Sequence, residues 1–380
     1  MGMYEKGNPL YNYHVAHYGD PTKFGYKDLI PLFEAEKWNP DAWAELFEKP
    51  GADFAGPCAE HHDGFAMWDT KYDTFNAMKM GPHRDIVREM LQAIRAHHMR
   101  TVVTFHHCRN WSFYTDARKL CPEGVDVNDP ESSDLYGPIH PPDKDLFRNI
   151  KTTPAYQENY TNKIVEVIDK YRPDQIWLED LFPVFINTDR YVKPTLAYYF
   201  NQAETWGNEV MVTHKNNDLP LSCSELDHEQ GWGDKADPQP QRWQADTTLP
   251  DCDWSYLSSI IMTDEEIDRG AKTLVQSIVG RISNNGVTLL SVSPKADGTI
   301  PMYQVKMLNK LGDWMKVNKV ALYAAKCRTP SKGNTFRFTL RGPYLYAIDF
   351  ETPKTGQVIP GVTAVQGSDI RMLGCDKPLA

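Results

Sequence analysis

Two pairs of adjacent histidines follow apolar runs in this 380-residue sequence, and a glutamate precedes the first pair. Glu60, His61 and His62 come directly after the run 54–59. Neighbouring side chains of an extended strand point to opposite faces, which disfavours chelation of one metal ion by the pair. Neutral imidazoles can donate and accept hydrogen bonds to sugar hydroxyls, so His61 and His62 are candidate substrate-binding residues. Glu60, in the same polar cluster, is included with them. A structural histidine pair and a metal site stay open as alternatives.

The second histidine pair repeats this pattern one strand later. His106 and His107 end the β-branched run 101–105. Because two successive strand-like runs each end in a histidine pair, the interpretation as a binding site gains support. His106 and His107 therefore join the candidate substrate-binding residues.

A third strand-like run ends in two carboxylates beside a tryptophan. Trp177 and Glu179 are two residues apart, and Asp180 follows them. Residues i and i+2 of a strand share a face, so Trp177 and Glu179 are expected together and Asp180 on the opposite face. A carboxylate beside an aromatic wall suits the nucleophile of a glycosidase, with a solvated acidic pair as the alternative.

A second carboxyl group is available about 50 residues further on, in the acidic stretch 225–229 that ends at Glu229. Retaining glycosidases need two carboxyl groups about 5–5.5 Å apart, one as nucleophile and one as acid/base. A solvated acidic loop is the alternative interpretation. Trp243 lies in the same region and is either a stacking platform for a sugar or part of the core.

The elements that position these residues alternate along the chain. Strand-like runs cover 54–59, 101–105, 175–178, 209–213 and 286–292, and helical periodicity covers 84–97, 160–170 and 271–284. This alternation predicts an α/β fold with a parallel sheet, and polar residues after the strands match the site loops of a (β/α)₈ barrel. No glycine-rich phosphate-binding turn follows any strand, which disfavours a nucleotide-binding sheet.

The chain changes character near residue 317. Short alternating strands are predicted at 336–340, 344–348 and 362–365, with turns at 342–343 and 353–356 between them. We therefore predict a catalytic barrel over 1–317 and a small β-sandwich-like domain over 318–380. The second domain is short for a complete sandwich.

Composition excludes several classes of protein. Lys and Arg total 41 and Asp and Glu total 51, a net charge of −10, which disfavours a nucleic-acid partner. No apolar stretch reaches the about 18 residues of a membrane span. The seven cysteines include no CxxC pair, which argues against a zinc ribbon or a disulfide scaffold.

Five motifs together resemble glycoside hydrolase family 29, the α-L-fucosidases. They are HHDGFAMWD at 61–69, RDIV at 84–87, YRPDQIW at 171–177, NGVTLL at 285–290 and PKADGTIP at 294–301. The resemblance implies a retaining exo-hydrolase on a (β/α)₈-like barrel with a C-terminal β domain and no metal or organic cofactor. The expected substrate is a fucosylated oligosaccharide or polysaccharide, and a homo-oligomer is left open. An endo-acting fucan hydrolase and a catalytically impaired fucose-binding protein are the alternatives.

The resemblance also implies roles for single residues. His61 and His62 hold fucose hydroxyls, Trp177 lies near the sugar, and Lys215 occupies the position of a basic sugar-site residue. Glu229 matches the acid/base region of one branch of the family. Trp68 belongs to the first motif and is included among the substrate-binding candidates.

Three departures from the family pattern affect these expectations. Glu179 stands where the family has a nucleophilic aspartate, so either Glu179 or the adjacent Asp180 carries the chemistry. No strand with a His-Trp pair precedes Tyr13, so the chain is expected to start after the first barrel strand. Another segment of the chain, a partner chain or a missing N-terminus would then supply that strand. His106 and His107 stand where many relatives place an aromatic residue nearby. The compartment is not determined by the sequence.

Overall fold

A computed structural model describes residues 2–120, 126–141, 152–179, 187–216, 218–231, 238–328, 335–352 and 354–375. The chain divides into two compact units. The first unit comprises residues 1–44, 53–224 and 296–299, and the second comprises 45–52, 225–295 and 300–380. The domain boundary expected near residue 317 stays a prediction.

The predicted strands and helices of the barrel region occur in the predicted order, among further elements that the sequence did not predict. The helices are α1 (Pro9–Tyr18), α2 (Pro40–Glu48), α3 (Ile86–Ala96), α4 (Asn110–Phe113), α5 (Thr115–Leu120), α6 (Ser133–Tyr136), α7 (Pro154–Tyr171), α8 (Lys193–Trp206), α9 (Asp264–Ser283) and α10 (Met302–Asn318). The strands are β1 (Phe54–Ala55), β2 (Cys58–Glu60), β3 (Arg100–Phe105), β4 (Gln175–Leu178), β5 (Met211–His214), β6 (Glu225–Asp227), β7 (Trp243–Thr248), β8 (Gly286–Ser291), β9 (Lys326–Cys327), β10 (Arg337–Arg341) and β11 (Tyr344–Ile348).

The first unit is built on parallel strands, as predicted. Strand β3 pairs with β1, β2 and β4, and β4 pairs with β5, all in parallel. The predicted single strand 54–59 is interrupted at Gly56 and Pro57, and this is a difference from the sequence expectation. A Cβ on Gly56 would lie 1.6 Å from the backbone oxygen of Val102, so only glycine allows this approach to β3. Pro57 has no N–H to donate to the ladder.

The second unit contains the parallel strands β6, β7 and β8. Helices α9 and α10 supply most of its apolar core, which includes Leu274, Val279 and Leu311. Helix α9 begins seven residues before the predicted start because Thr263 and Glu266 form a capping box there. The apolar periodicity marks only the part of the helix that faces the core.

The C-terminal strands β9, β10 and β11 form an antiparallel sheet. The two-residue turn at 342–343 joins β10 and β11 as predicted. The strand predicted at 362–365 is wrong, since these residues lie in no strand and are mostly exposed. β-Branched residues favour a strand only where a partner strand and a packing surface are available.

None of the described helices has the combination of length and apolar sequence needed to cross a membrane.

Candidate active site

The carboxylate of Glu179 lies at the end of β4 between two basic side chains. Its Oε2 is 2.8 Å from Nδ1 of His106, which follows β3. Nζ of Lys215, which follows β5, lies 3.4 Å from Oε1 and 3.3 Å from Oε2. The Glu179 and Lys215 side chains are only 9% and 8% exposed, so solvent screens this ion pair weakly.

The ring of Trp177 lies beside both basic neighbours of Glu179. Its side chain is fully buried, and its ring centroid lies 4.8 Å from that of His106. Nζ of Lys215 lies 5.0 Å from the centroid of the Trp177 ring. Trp177 and Glu179 therefore share two neighbours, in agreement with the common face that their spacing predicts.

The electrostatics keep Glu179 ionised. Burial alone raises its pKa, but the hydrogen bond with His106 and the charges of His106 and Lys215 outweigh burial and hold the pKa well below its usual range. For His106, burial lowers the pKa, while the neighbouring Cys58 and Glu179 side chains raise it to about 9. At neutral pH the site therefore contains a carboxylate, an imidazolium and an ammonium group.

Two neutral imidazoles lie beside this charged group. The ring of His61 is 4.2 Å from that of His62 and 4.4 Å from that of His106, centroid to centroid. Desolvation of its ring and the charge of His106 lower the pKa of His61. Burial also lowers the pKa of His62 to about 4, and the charge of His106 adds to this effect.

The expectation that His61 and His62 point to opposite faces is wrong. Strand β2 ends at Glu60, and the chain turns at His62, so the alternation of an extended strand no longer applies. The two rings stand side by side as a result. The expectation of opposite faces would have held only if β2 continued through His61 and His62.

Glu60 and His107 lie elsewhere, in the packing between the sheet and α7. Both carboxylate oxygens of Glu60 accept hydrogen bonds from Nζ of Lys163, at 2.8 and 3.0 Å, and Lys163 also pairs with Asp73. Burial raises the pKa of Glu60, and the charge of the Lys163 ammonium opposes this shift. The buried ring of His107 lies 4.3 Å from that of Tyr160. We therefore leave Glu60 and His107 out of the proposed sugar site.

Two tryptophans proposed as substrate contacts are core residues of the described chain. Nε1 of Trp68 donates to Glu166 at 3.0 Å, and Nε1 of Trp243 donates to the backbone oxygen of Asn284 at 3.0 Å. Both side chains are buried. Each indole has its polar atom satisfied inside its own unit, which matches the core alternative that the sequence left open for Trp243.

The acidic stretch 225–229 lies in the second unit. Two of its carboxylates have protein partners, and a third is exposed. Glu225 is 3.2 Å from Nε of Arg242, and Asp227 accepts hydrogen bonds from Gln244 at 2.8 Å and from the backbone N–H of Asp246 at 3.1 Å. Glu229 is exposed and begins the short helical turn Glu229–Gly231 after β6. Asp180, the other candidate nucleophile, lies outside the described residues.

Sequence reasoning missed one neighbour of the site, Cys58. Its side chain interacts with that of His106. The register explains the contact, because Cys58 pairs with Thr104 and His106 lies two residues beyond Thr104. Residues two apart on β3 share a face, but Cys58 can be placed on that face only when its pairing with Thr104 is known. No signal in the sequence alone therefore reveals the contact between Cys58 and His106.

A buried, ionised carboxylate at the end of parallel strands, with a tryptophan and neutral imidazoles near its basic neighbours, suits the nucleophile of an enzyme that cleaves glycosides. Residues 1–320 match the family model described as Alpha-L-fucosidase. The chain belongs to the α-L-fucosidase family.

Named relatives agree with this membership. The tissue α-L-fucosidase of Bos taurus is 28% identical over 377 residues, covering 94% of this chain and 71% of that protein. The plasma α-L-fucosidase of Homo sapiens is 28% identical over 374 residues, covering 94% of this chain and 72% of that protein. The structure of Thermotoga maritima α-fucosidase in complex with fucose matches with a TM-score of 0.68 and 28% identity, covering 89% of this chain and 71% of that chain.

The structural match confirms the predicted fold class. The chain is an α/β protein with a (β/α)₈-like barrel followed by a small C-terminal β domain.

Proposed function

We propose that Glu179 is the nucleophile of a retaining exo-α-L-fucosidase that removes terminal fucose from glycans. The supporting observation is the position of its carboxylate, buried and ionised between His106 and Lys215 at the end of β4. An ionised carboxylate can attack C1 of the sugar directly and form a covalent glycosyl-enzyme ester. The relatives named above are all α-L-fucosidases, which favours this function over an endo-acting fucan hydrolase or a binding protein.

The reaction proceeds in two displacements. Glu179 attacks C1 while Glu229 protonates the leaving oxygen, so the glycosidic bond breaks as the ester forms. Glu229 then removes a proton from water, the water oxygen attacks C1, and the Glu179 carboxylate departs. Glu229 is proposed because it is an exposed carboxyl group directly after a parallel strand, where the active sites of (β/α)₈ barrels are built.

The basic neighbours of Glu179 act mainly on the second displacement. His106 and Lys215 stabilise the carboxylate anion, which makes it a better leaving group when the ester is hydrolysed. The same charges weaken it as a nucleophile in the first displacement. His61 and His62 are neutral and half-exposed or exposed, so they can hydrogen-bond sugar hydroxyls without adding further positive charge beside C1.

The reaction class can be tested with p-nitrophenyl α-L-fucoside. We expect release of nitrophenol, and proton NMR of the early reaction should show α-L-fucose before mutarotation produces the β anomer. Retention follows from two inversions at C1. Initial formation of the β anomer would contradict a covalent intermediate on Glu179, and the absence of release with both this substrate and a fucosylated oligosaccharide would contradict the activity.

The variant His106→Gln should lose part of its stability at neutral pH and the part of the alkaline pH dependence that His106 contributes. His106 has its pKa raised to about 9 from the ordinary 6.5, so its contribution is fully present below about pH 6.5 and is lost as the pH rises through about 9. The contribution is at most about 3 kcal/mol. The measurement is urea unfolding of both proteins at pH 6, 8 and 10.

The control for this comparison is His17→Gln, an exposed position on α1. The free energy of unfolding of His17→Gln should decrease between pH 6 and pH 10 by the same amount as that of the wild type. An equal loss between pH 6 and 10 in His106→Gln and the wild type would contradict the proposed charge on His106.

A further inference from the structure

We propose that His61, His62 and His106 form a binding site for one zinc ion. Each of the three residues offers a ring nitrogen, and these atoms all lie within 4.8 Å of one another. Imidazole nitrogens suit Zn²⁺ and similar transition metals and are poor ligands for the hard cations Mg²⁺ and Ca²⁺. Three imidazoles with an open fourth position are an established arrangement for zinc.

The spacing of the ligand atoms is close to what zinc requires. Zn–N bonds of about 2.0–2.1 Å in a tetrahedral site place the nitrogens about 3.3–3.4 Å apart. The three atoms must therefore approach one another by about 1.5 Å at most. His61 is exposed and the other two side chains are partly exposed, so rotation about their side-chain bonds can close this gap.

An independent observation concerns His62. Its Nε2 atom is buried and has no hydrogen-bond partner within the described part of the chain. A buried polar atom without a partner has lost its hydration without compensation, and a bound ion would remove this cost. The atom is therefore suited to a ligand that accepts its lone pair.

The orientation of His106 also favours metal binding. Its Nδ1 lies 2.8 Å from Oε2 of Glu179, which leaves Nε2 as the coordinating atom. Histidine ligands of metals commonly donate their other ring N–H to a carboxylate, which fixes the ring and strengthens the metal–nitrogen bond. Zinc would take the place of the proton on Nε2, and the ring would exchange its interaction with Cys58 for a coordination bond.

Zinc in this position should exclude the sugar. This part of the inference rests on the proposed function, in which the imidazoles of His61 and His62 hold sugar hydroxyls. The ion would use the same nitrogens and would add positive charge beside Glu179. Zinc is therefore expected to act as a competitive inhibitor and not as a cofactor.

The experiment is isothermal titration of zinc chloride into the full chain, without a histidine tag and in a buffer that does not bind metals. We expect one site per chain, with affinity at least about 10-fold lower in His62→Gln and His106→Gln. His17→Gln, at an exposed position of α1, is the matched control and should bind zinc as the wild type does. Circular dichroism of each variant checks that it is folded.

Cobalt and fucose provide two further readouts. Co²⁺ in a site of three imidazoles and one water should give visible absorption bands that His62→Gln lacks. Absence of a saturable site in the wild type, or equal zinc affinity in His62→Gln, would overturn the metal site. Zinc binding that saturating L-fucose leaves unchanged would instead overturn the placement of the sugar at these imidazoles, and p-nitrophenyl fucoside turnover in EDTA tests the activity separately.

Discussion

Glu179→Gln should abolish turnover of p-nitrophenyl α-L-fucoside while the protein remains folded and still binds L-fucose. The amide is isosteric with the carboxylate but cannot form the glycosyl ester, so kcat should fall by at least about 10⁴-fold. The measurements are nitrophenol release for turnover and calorimetry with L-fucose for binding. Retained turnover would exclude Glu179 as the nucleophile.

Two neighbouring variants make this test specific. Asp180 is the alternative nucleophile, so Asp180→Asn is the direct comparison. This variant should keep substantial activity, because the contacts with His106 and Lys215 belong to Glu179. If Asp180→Asn is inactive and Glu179→Gln is active, the roles are reversed. Glu179→Asp shortens the side chain by one methylene group and should lower kcat by about 10²-fold, because a displacement of about 1 Å has a cost of this size.

Rescue by azide identifies the nucleophile directly. In Glu179→Gly the small anion can enter the space left by the carboxylate and attack C1 from the same side. The product should be a fucosyl azide of inverted configuration, because only one displacement occurs. The same addition to Asp180→Gly should give no fucosyl azide, and the reverse pattern would assign the chemistry to Asp180.

Lys163→Met should destabilise the protein by about 3–5 kcal/mol, because it removes the cation from between two buried carboxylates. The side chains of Lys163, Glu60 and Asp73 are 5%, 2% and 2% exposed. Without the lysine, Glu60 and Asp73 repel each other in a region of low dielectric, or both must take up a proton. Urea unfolding at pH 7 measures the loss of stability.

Lys170→Met is the matched control on the same helix. Lys170 is 30% exposed and lies 3.5 Å from Glu166, so its removal should cost less than about 1 kcal/mol. Adding Glu60→Gln to Lys163→Met should recover part of the stability, because it removes one of the two unpaired charges. Equal losses in Lys163→Met and Lys170→Met would contradict the buried ion pair.

The alternation of strands and helices could be predicted from the sequence because it depends on local periodicity. Strand β4 was predicted with its observed bounds, and helix α3 within two residues at its N-terminus. The apolar residues of α3 recur at helical spacing, and β4 is a short buried run that ends in polar residues. The strand expected at 362–365 shows the limit of this reasoning, because β-branched residues form a strand only beside a partner.

The sequence by itself determined the family, the order of the elements and the address of the site after the parallel strands. Only the tertiary structure decided which polar residues meet there. Glu60 and His61 are neighbours in sequence, yet Glu60 turns towards Lys163 on α7 and His61 stacks on His106. The physical reason is that the face on which a side chain lies depends on where its strand ends and on its register with β3, and both are set by packing between segments far apart in the chain.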